Sequence, residues 1–205
     1  SGKHHGIENP INLGFDKYYG LKDGASNHFN PGLQREGEPK PAQKMMRTWC
    51  IDSTEISPYT PPKDFYSTDY FTNYALNFID ESMEDSKPFF LYLAYTAPHD
   101  PLLAWPEDIE KYEGKYDSGY HVIRQRRFEN QLVQGLANDN HGLSSFSETR
   151  WNELSSTQKN QEAKRMEIYA AMIDRMDQNI GRVVEKLKAI NQLNNTIILF
   201  MSDNG

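Results

Sequence analysis

The sequence has a single cysteine, Cys50, among its 205 residues. An internal disulfide and a zinc site built from several thiolates are therefore excluded. Long hydrophobic runs are missing too: the longest wholly apolar stretch, 89–95, has seven residues, whereas a membrane-spanning helix needs about 20. Basic residues are fewer than acidic ones: the chain has 22 Lys and Arg and 29 Asp and Glu. We therefore expect a globular chain with no membrane span and no nucleic-acid partner.

The length of the chain is sufficient for one hydrophobic core, since a chain of this size buries roughly 70% of its unfolded surface. It starts without an initiator methionine or a signal peptide, and it stops just after the apolar run 197–201. We interpret residues 1–205 as the central segment of a single domain, truncated at both ends. Within it, 1–64 should be rich in loops and 65–205 should consist of helices and strands.

The two parts differ in composition and periodicity. Residues 1–64 hold seven of the eleven prolines and seven of the thirteen glycines, which is typical of loops. Beyond them, apolar residues recur at helical spacing and predict helices at 68–84, 106–112, 119–135 and 158–190. The last helix carries an apolar stripe that we expect to face the core: Tyr169, Met172, Ile173, Met176, Ile180, Val183, Val184, Leu187 and Ile190.

Two continuous apolar runs, 89–95 and 197–201, follow the helices at 68–84 and 158–190. Runs of this length that do not alternate with polar residues are typical of strands buried on both faces of a parallel sheet. Helix followed by buried strand, twice over, predicts an α/β fold whose sheet is covered by helices on both faces.

Polar residues follow both predicted strands. His99 lies between two prolines after the first, and Asp203 and Asn204 follow the second. In open α/β sheets ligands bind at the carboxyl ends of the strands, and carboxylate and amide oxygens suit Ca²⁺ or Mg²⁺. The same Asp-Asn-Gly sequence is also typical of a tight turn. From these residues alone, a metal site and a turn are both open.

The remaining candidate side chains give weaker signals. Lys3 and His5 lie between two glycines near the start of the chain, where they could form a site or a solvated loop. His28 is predicted to be a hydrogen-bonded loop histidine, and His121 and His141 are predicted to lie at the surface. The basic run 124–127 is typical of a solvated helix face.

Five motifs, taken together and in this order, resemble the sulfatase family. They are Gly2-Lys3-His4-His5; Gly14-Phe15-Asp16-Lys17-Tyr18-Tyr19-Gly20; Lys87-Pro88-Phe89-Phe90 leading into Ala97-Pro98-His99-Asp100-Pro101; Tyr169 to Asp177 with Ile180-Gly181; and Asn195-Thr196 leading into Ser202-Asp203-Asn204-Gly205. The resemblance is to formylglycine-dependent, arylsulfatase-like enzymes of the alkaline-phosphatase-like superfamily. It implies that the chain is the central segment of one sulfatase catalytic domain.

The resemblance also implies roles for five residues. Lys3 and His5 match the Gly-Lys-x-His motif, which supplies a lysine and a histidine to the sulfate pocket. His99 matches the histidine of Pro-His-x-Pro, which contacts the sulfate or the leaving oxygen. Asp203 and Asn204 match the Asp-Asn pair that binds a divalent cation, usually Ca²⁺, with Mg²⁺ as the other candidate. The implied substrate is a sulfate ester, either aryl or carbohydrate.

Three elements of the family pattern are missing from the chain: the nucleophile motif, the amino-terminal Asp-Asp metal ligands and a later lysine. The family's nucleophile is a formylglycine made from the Cys or Ser of Cys/Ser-x-Pro-x-Arg, and no such motif occurs here. Cys50 lacks both the proline and the arginine, and we expect it to be a buried small residue. Position 4 is His where the family often has Trp. The nucleophile is therefore expected outside these residues, and the isolated segment is expected to be inactive.

Two alternatives remain open at this stage. The parent could hydrolyse phosphoesters or phosphonate esters within the same superfamily, or it could be an inactive homologue that acts as a binding module. A Cys/Ser-x-Pro-x-Arg motif upstream of Ser1 would favour the sulfatase. The resemblance implies a periplasmic, secreted or lysosomal protein, and nothing in the sequence indicates an oligomeric state.

Overall fold

The computed structural model describes residues 1–37, 47–84, 87–138, 140, 142–145 and 149–202. The chain forms two compact units: the first is Ser1–Pro101 together with Arg175–Gly205, and the second is Leu102–Asp174. The strands are β1 (Tyr19–Leu21), β2 (Trp49–Ile51) and β3 (Thr54–Ile56). The helices are α1 (Ser67–Glu84), α2 (Pro106–Glu110), α3 (Tyr120–Val133), α4 (Thr149–Asn152) and α5 (Ser156–Ala189), with short 3₁₀ helices at Pro10–Leu13 and Leu193–Asn195.

The four predicted helices are confirmed as α1, α2, α3 and α5, and every predicted end lies within two residues of the observed one. The apolar stripe of α5 is only partly buried. Met172 and Leu187 are in the core, whereas Tyr169 and Ile173 are 37% and 38% exposed. Within the described residues no helix is long and apolar enough to cross a membrane.

Both strand predictions are wrong for the residues that the structure describes. In 89–95 only Ala94 forms a bridge, parallel to Gly2. Residues 197–201 form no strand, and Ile197 and Phe200 are 89% and 75% exposed. The physical reason is that a strand needs hydrogen-bonding partners, and an apolar run does not specify them. The mixed helix and strand content is still consistent with an α/β fold.

The strands that do form lie in the loop-rich part of the chain. They make a three-stranded antiparallel sheet in the order β1-β2-β3, with Gly20 opposite Cys50 and Cys50 opposite Glu55. Cys50 is fully buried, as expected, and burial raises the pKa of its thiol to about 11. A thiol in this state is a packing group and not a reactive nucleophile.

An aromatic core joins this sheet to α1 in the first unit. Its buried members are Tyr19, Leu21, Trp49, Phe65 and Phe71. The Tyr19 ring stacks on Tyr74 with centroids 3.5 Å apart, and Trp49 lies nearly parallel to Phe71 at 5.5 Å. Rings of this size dominate the apolar area buried on folding. They therefore fix β1 and β2 against the buried face of α1.

A cluster of charged and polar groups joins α1 to the second half of α5. The Arg175 guanidinium donates from Nε and Nη2 to the two oxygens of Asp69, at 2.8 and 2.9 Å. Asn179 Nδ2 donates to the same carboxylate at 2.8 Å. The Asp69 and Arg175 side chains are 15% and 27% exposed. A bidentate pair that is largely shielded from water holds the two helices in register.

We expect Asp69→Asn to lower the free energy of unfolding by about 2 kcal/mol, because the amide turns donors toward Arg175 and leaves the guanidinium without its partner. Chemical denaturation of the two proteins measures the difference. Glu81→Gln is the matched control, since the Lys17–Glu81 pair is about half exposed at both ends and should contribute less than about 1 kcal/mol. Equal losses in the two variants would contradict the assignment.

A buried histidine anchors the start of α1. His28 is 1% exposed, and its Nε2 lies 3.0 Å from the carbonyl oxygen of His99. Because a carbonyl only accepts, Nε2 carries the proton and Nδ1 accepts from the hydroxyl of Ser67 at 2.9 Å. Burial lowers the pKa of His28 to about 4. The prediction of a hydrogen-bonded loop histidine is confirmed, and the ring is neutral in the folded protein.

This neutral ring makes stability depend on pH. Its pKa of about 4 when folded, against about 6.5 when unfolded, means that the unfolded chain takes up the proton first. The stabilisation is therefore fully present above pH 6.5 and is lost as the pH falls toward 4, by about 3 kcal/mol in total. Denaturation at pH 7 and pH 5 should show that the wild type loses about 2 kcal/mol more than His28→Gln. His121→Gln, at an exposed histidine, should keep the wild-type loss, and a parallel response of His28→Gln would contradict the assignment.

Candidate active site

Residues 1–4 lie alongside β1 and connect it to the segment that leads to His99. Gly2 N and His4 N donate to the carbonyl oxygens of Tyr19 and Leu21, both at 2.8 Å. On the other side, Lys3 N donates to Ala94 O at 2.7 Å, and Ala94 N donates to Ser1 O at 2.9 Å. The backbone of Lys3 is thus fixed beside Ala94, five residues before His99.

Two glycines make this close approach possible. A Cβ at Gly20 would lie 1.8 Å from Gly2 O, and a Cβ at Gly2 would lie 2.1 Å from Ala94 O. Neither distance can accommodate a carbon atom. The glycines at positions 2 and 20 of the sequence motifs are therefore required by the spacing of three adjacent backbone segments.

The Tyr18 side chain also forms hydrogen bonds at this junction. The hydroxyl oxygen lies 2.9 Å from both Gly2 O and Leu21 O. The backbone N of Tyr18 donates to Asp52 Oδ1 at 2.9 Å. The motif Gly14 to Gly20 therefore positions the Lys3 segment and does not itself present a reactive group. The motif Gly14 to Gly20 can be recognised in the sequence, but only the tertiary structure shows that it positions the Lys3 segment.

The three side chains beside this junction differ in exposure. Lys3 and His4 are half-buried and His5 is exposed. His5 has a φ of 56°, which is uncommon for a residue with a Cβ, and its Nε2 lies close to Gly24. The His4 ring packs over Gly6 and meets Tyr18 edge-on at 6.5 Å. Lys3 and His5, both predicted as site residues, thus lie in one short loop, residues 3–5, which we call the Lys3 loop.

His99 lies in a tight turn between Pro98 and Pro101. Its N donates to Thr96 O at 2.9 Å, and its side chain is exposed. The ring Nδ1 is 2.7 Å from Asp100 O, so Nδ1 carries a proton. Nε2 is then the nitrogen left for a ligand. It accepts when the ring is neutral, and it donates only when the ring is doubly protonated.

His28 supports this turn from the interior. Its contact with His99 O joins residues that are 71 positions apart, and its contact with Ser67 spans 39 positions. No local pattern distinguishes such a histidine from one in an ordinary loop. The structure therefore adds His28 as a residue that positions the backbone of His99.

The predicted metal ligands Asp203 and Asn204 lie outside the described residues, as does His141. Among the residues that are described, no group of three or more His, Cys, Asp and Glu side chains is arranged to hold a metal ion. The structure thus brings together the segments of Lys3, His5 and His99. The metal-binding roles of Asp203 and Asn204 stay a prediction.

Two proteins with similar sequences are named sulfatases. The chain is 38% identical over 201 residues to an uncharacterized sulfatase of Schizosaccharomyces pombe, in a match that covers 96% of this chain and 35% of that protein. It is 32% identical over 198 residues to an arylsulfatase of Klebsiella aerogenes, covering 96% of this chain and 41% of that one. The chain therefore spans about two-fifths or less of the length of these relatives.

One solved structure is also similar to this chain in both fold and sequence. The crystal structure of Ps i-CgsB in complex with k-i-k-neocarrahexaose superposes with a TM-score of 0.54 at 28% identity, over 95% of this chain and 34% of that one. A family model described as Sulfatase matches residues 3–205. This match includes the Lys3 loop, the His99 turn and the carboxyl-terminal Asp-Asn pair, and the chain belongs to the sulfatase family.

Proposed function

We propose that this chain supplies the sulfate-binding and leaving-group side of the active site of a sulfate-ester hydrolase. The observation that carries the proposal is the pairing of residues 1–3 with Ala94. It places the Lys3 loop beside the segment that ends in His99. These are the two segments whose motifs resemble the sulfate-contacting motifs of the family.

The charges at this junction suit the chemistry of sulfate-ester cleavage. As the S–O bond to the leaving group breaks, negative charge grows on the sulfuryl oxygens and on the leaving oxygen. Lys3 provides a fixed positive charge for the sulfuryl oxygens, and His5 provides a ring nitrogen in the same loop. Groups already held in place when charge develops lower the barrier more than solvent does.

His99 is suited to protonating the leaving oxygen. Its Nδ1 is committed to Asp100 O, so the proton that reaches a substrate comes from Nε2 of the doubly protonated ring. The contact between His28 and the His99 carbonyl limits how far the turn can shift during this transfer. Positioning of this kind preserves the short donor distance that general acid catalysis requires.

Asp203 and Asn204 fit a hard divalent cation by their donor chemistry. One carboxylate and one amide oxygen are part of the six or more oxygen ligands that Ca²⁺ takes, or of the six that Mg²⁺ takes. A cation bound there would neutralise charge on the sulfuryl oxygens. The remaining ligands, and the formylglycine that the family resemblance implies as nucleophile, would come from residues outside this chain. Inactivity of the isolated segment stays a prediction.

The substrate class proposed is a sulfate ester, with a carbohydrate or an aryl group on the leaving oxygen. The similar crystal structure holds k-i-k-neocarrahexaose, which supports the carbohydrate class. The Klebsiella aerogenes relative is named arylsulfatase, which supports the aryl class. Periplasmic, secreted or lysosomal localisation also stays a prediction.

In the full-length protein, His99→Ala should lower kcat for 4-nitrophenyl sulfate by about 10²–10⁴-fold, since that is the reach of a general acid or a key charge contact. The melting temperature should change little because the side chain is exposed. Steady-state kinetics and thermal denaturation measure the two effects. His121→Ala serves as the control. A His99→Ala enzyme with normal kcat, or one that fails to fold, would show that His99 is structural.

Asp203→Ala in the full-length protein should lower the content of bound Ca²⁺, because it removes a charged ligand. Elemental analysis of the dialysed proteins measures this content. Added Ca²⁺ should raise the melting temperature of the wild type by mass action and raise that of the variant much less. Asp177→Ala removes an exposed carboxylate of α5 and should behave as the wild type. Equal metal content in wild type and Asp203→Ala would show that Asp203 is not a metal ligand and that the Asp-Asn-Gly sequence is an ordinary turn.

A further inference from the structure

A pocket of about 140 Å³ opens in the second unit, among the residues before α3, α3 itself, α4 and the first half of α5. We call it the α3 pocket. Its chemically distinctive lining residues are Tyr116, Tyr120, Arg124, Arg127, Trp151 and Glu162. None of them belongs to the Lys3 loop or the His99 turn, so the proposed sulfate-ester site does not account for it.

The size of the pocket matches one six-membered ring. An engineered cavity of about 150 Å³ in another protein binds benzene, so 140 Å³ is enough to accommodate one ring. The aromatic walls are half-buried. Tyr120 meets Trp151 edge-on with centroids 4.8 Å apart. The pocket therefore offers apolar ring surface at its base.

Trp151 is held in place by the backbone at the start of α3. Gly119 has a φ of 87°, and a Cβ at this position would lie 2.6 Å from Trp151 Nε1. Only glycine allows the indole ring to approach so closely. The pocket wall is thus a consequence of the local backbone and not of a loosely packed side chain.

Two arginines, Arg124 and Arg127, line the α3 pocket, although the whole chain has a net charge of −7. Arg124 Nη2 donates to Ser144 O at 2.9 Å and to Ser144 Oγ at 2.7 Å, which fixes that guanidinium. Arg127 is exposed, and the described part of the chain contains no hydrogen bond or ion pair to it. Burial raises the pKa of the Tyr116 hydroxyl, and the charge of Arg127 opposes that rise.

Glu162 provides hydrogen-bond acceptors in the lining of the α3 pocket. Its Oε2 accepts from the Tyr120 hydroxyl and its Oε1 accepts from Arg165, both at 2.8 Å. A carboxylate has about four acceptor sites, so capacity remains for hydroxyl donors of a ligand. The carboxylate is also oriented, because two donors already hold it.

We propose that the α3 pocket binds one pyranose ring that carries an anionic group, sulfate or carboxylate. The ring packs on Trp151 and Tyr120, a ring hydroxyl donates to Glu162, and the anionic group pairs with Arg127. An aryl sulfate would fill the aromatic part and reach Arg127, but it has no hydroxyl for Glu162. The pocket is therefore a saccharide subsite, additional to the Lys3 and His99 site and independent of catalysis there.

The test uses isothermal titration calorimetry on the full-length protein with both Lys3→Ala and His99→Ala, which remove the proposed sulfuryl-oxygen contact and the proposed acid of the first unit. N-acetylglucosamine 6-sulfate, glucuronic acid, neutral N-acetylglucosamine and phenyl sulfate are titrated separately. Adding Arg127→Gln should weaken binding of the anionic sugars about tenfold, the effect of losing one charge-assisted contact. Arg126→Gln is the matched control, because Arg126 is an exposed neighbour on the same helix and does not line the pocket. It should change affinity less than twofold.

The ligand series and one further variant decide the remaining points. Binding of either acidic sugar above the neutral sugar supports the proposal and identifies the anionic group. Trp151→Phe should abolish the ligand-induced change in tryptophan fluorescence while the protein still folds. Equal effects of Arg127→Gln and Arg126→Gln, equal binding of the neutral sugar, or tighter binding of phenyl sulfate would each overturn the proposal. Loss of hydrolysis in His99→Ala with binding intact tests the catalytic site separately.

Discussion

The backbone hydrogen bonds around Gly2 and Lys3 are the constraint on which the first unit depends. They connect β1 on one side with Ala94 on the other, and they exist only because Gly2 and Gly20 have no side chains. Backbone groups buried away from water must be paired, so this junction cannot shift without breaking several bonds together. It therefore keeps the Lys3 loop and the segment before His99 at fixed spacing.

The aromatic core and the buried polar groups support the junction in different ways. Tyr19 and Trp49 supply apolar area and place β1 and β2 on α1. The His28 ring is held by polar partners: Nε2 donates to His99 O, while Nδ1 lies 2.9 Å from the Ser67 hydroxyl and 3.3 Å from the Thr96 hydroxyl. Apolar packing tolerates small changes of shape, whereas a buried imidazole tolerates few changes of partner. The His99 turn is held by the buried imidazole of His28, which tolerates fewer changes than apolar packing does.

The two units carry different kinds of side chain. The first unit contains the exposed His99 and the half-buried Lys3, which suit transfer of a proton and binding of an oxyanion. The second unit contains aromatic rings and arginines around a small pocket, which suit recognition of a ring with a charged substituent. Residues on α5 contribute to both units, because its first half carries Glu162 and its second half carries Arg175.

The sequence by itself determined the helices, the buried state of Cys50 and the motifs that show the family. Helical hydrogen bonds join residues four apart, so the periodicity of 68–84 and 158–190 was enough to locate α1 and α5. Only the tertiary structure decided the strand pairing. The apolar runs 89–95 and 197–201 predicted strands, yet the sheet formed in the loop-rich part, because strand partners are distant in sequence and are not specified by an apolar run. The role of His28 and the α3 pocket were hidden for the same reason: each depends on contacts between residues tens of positions apart.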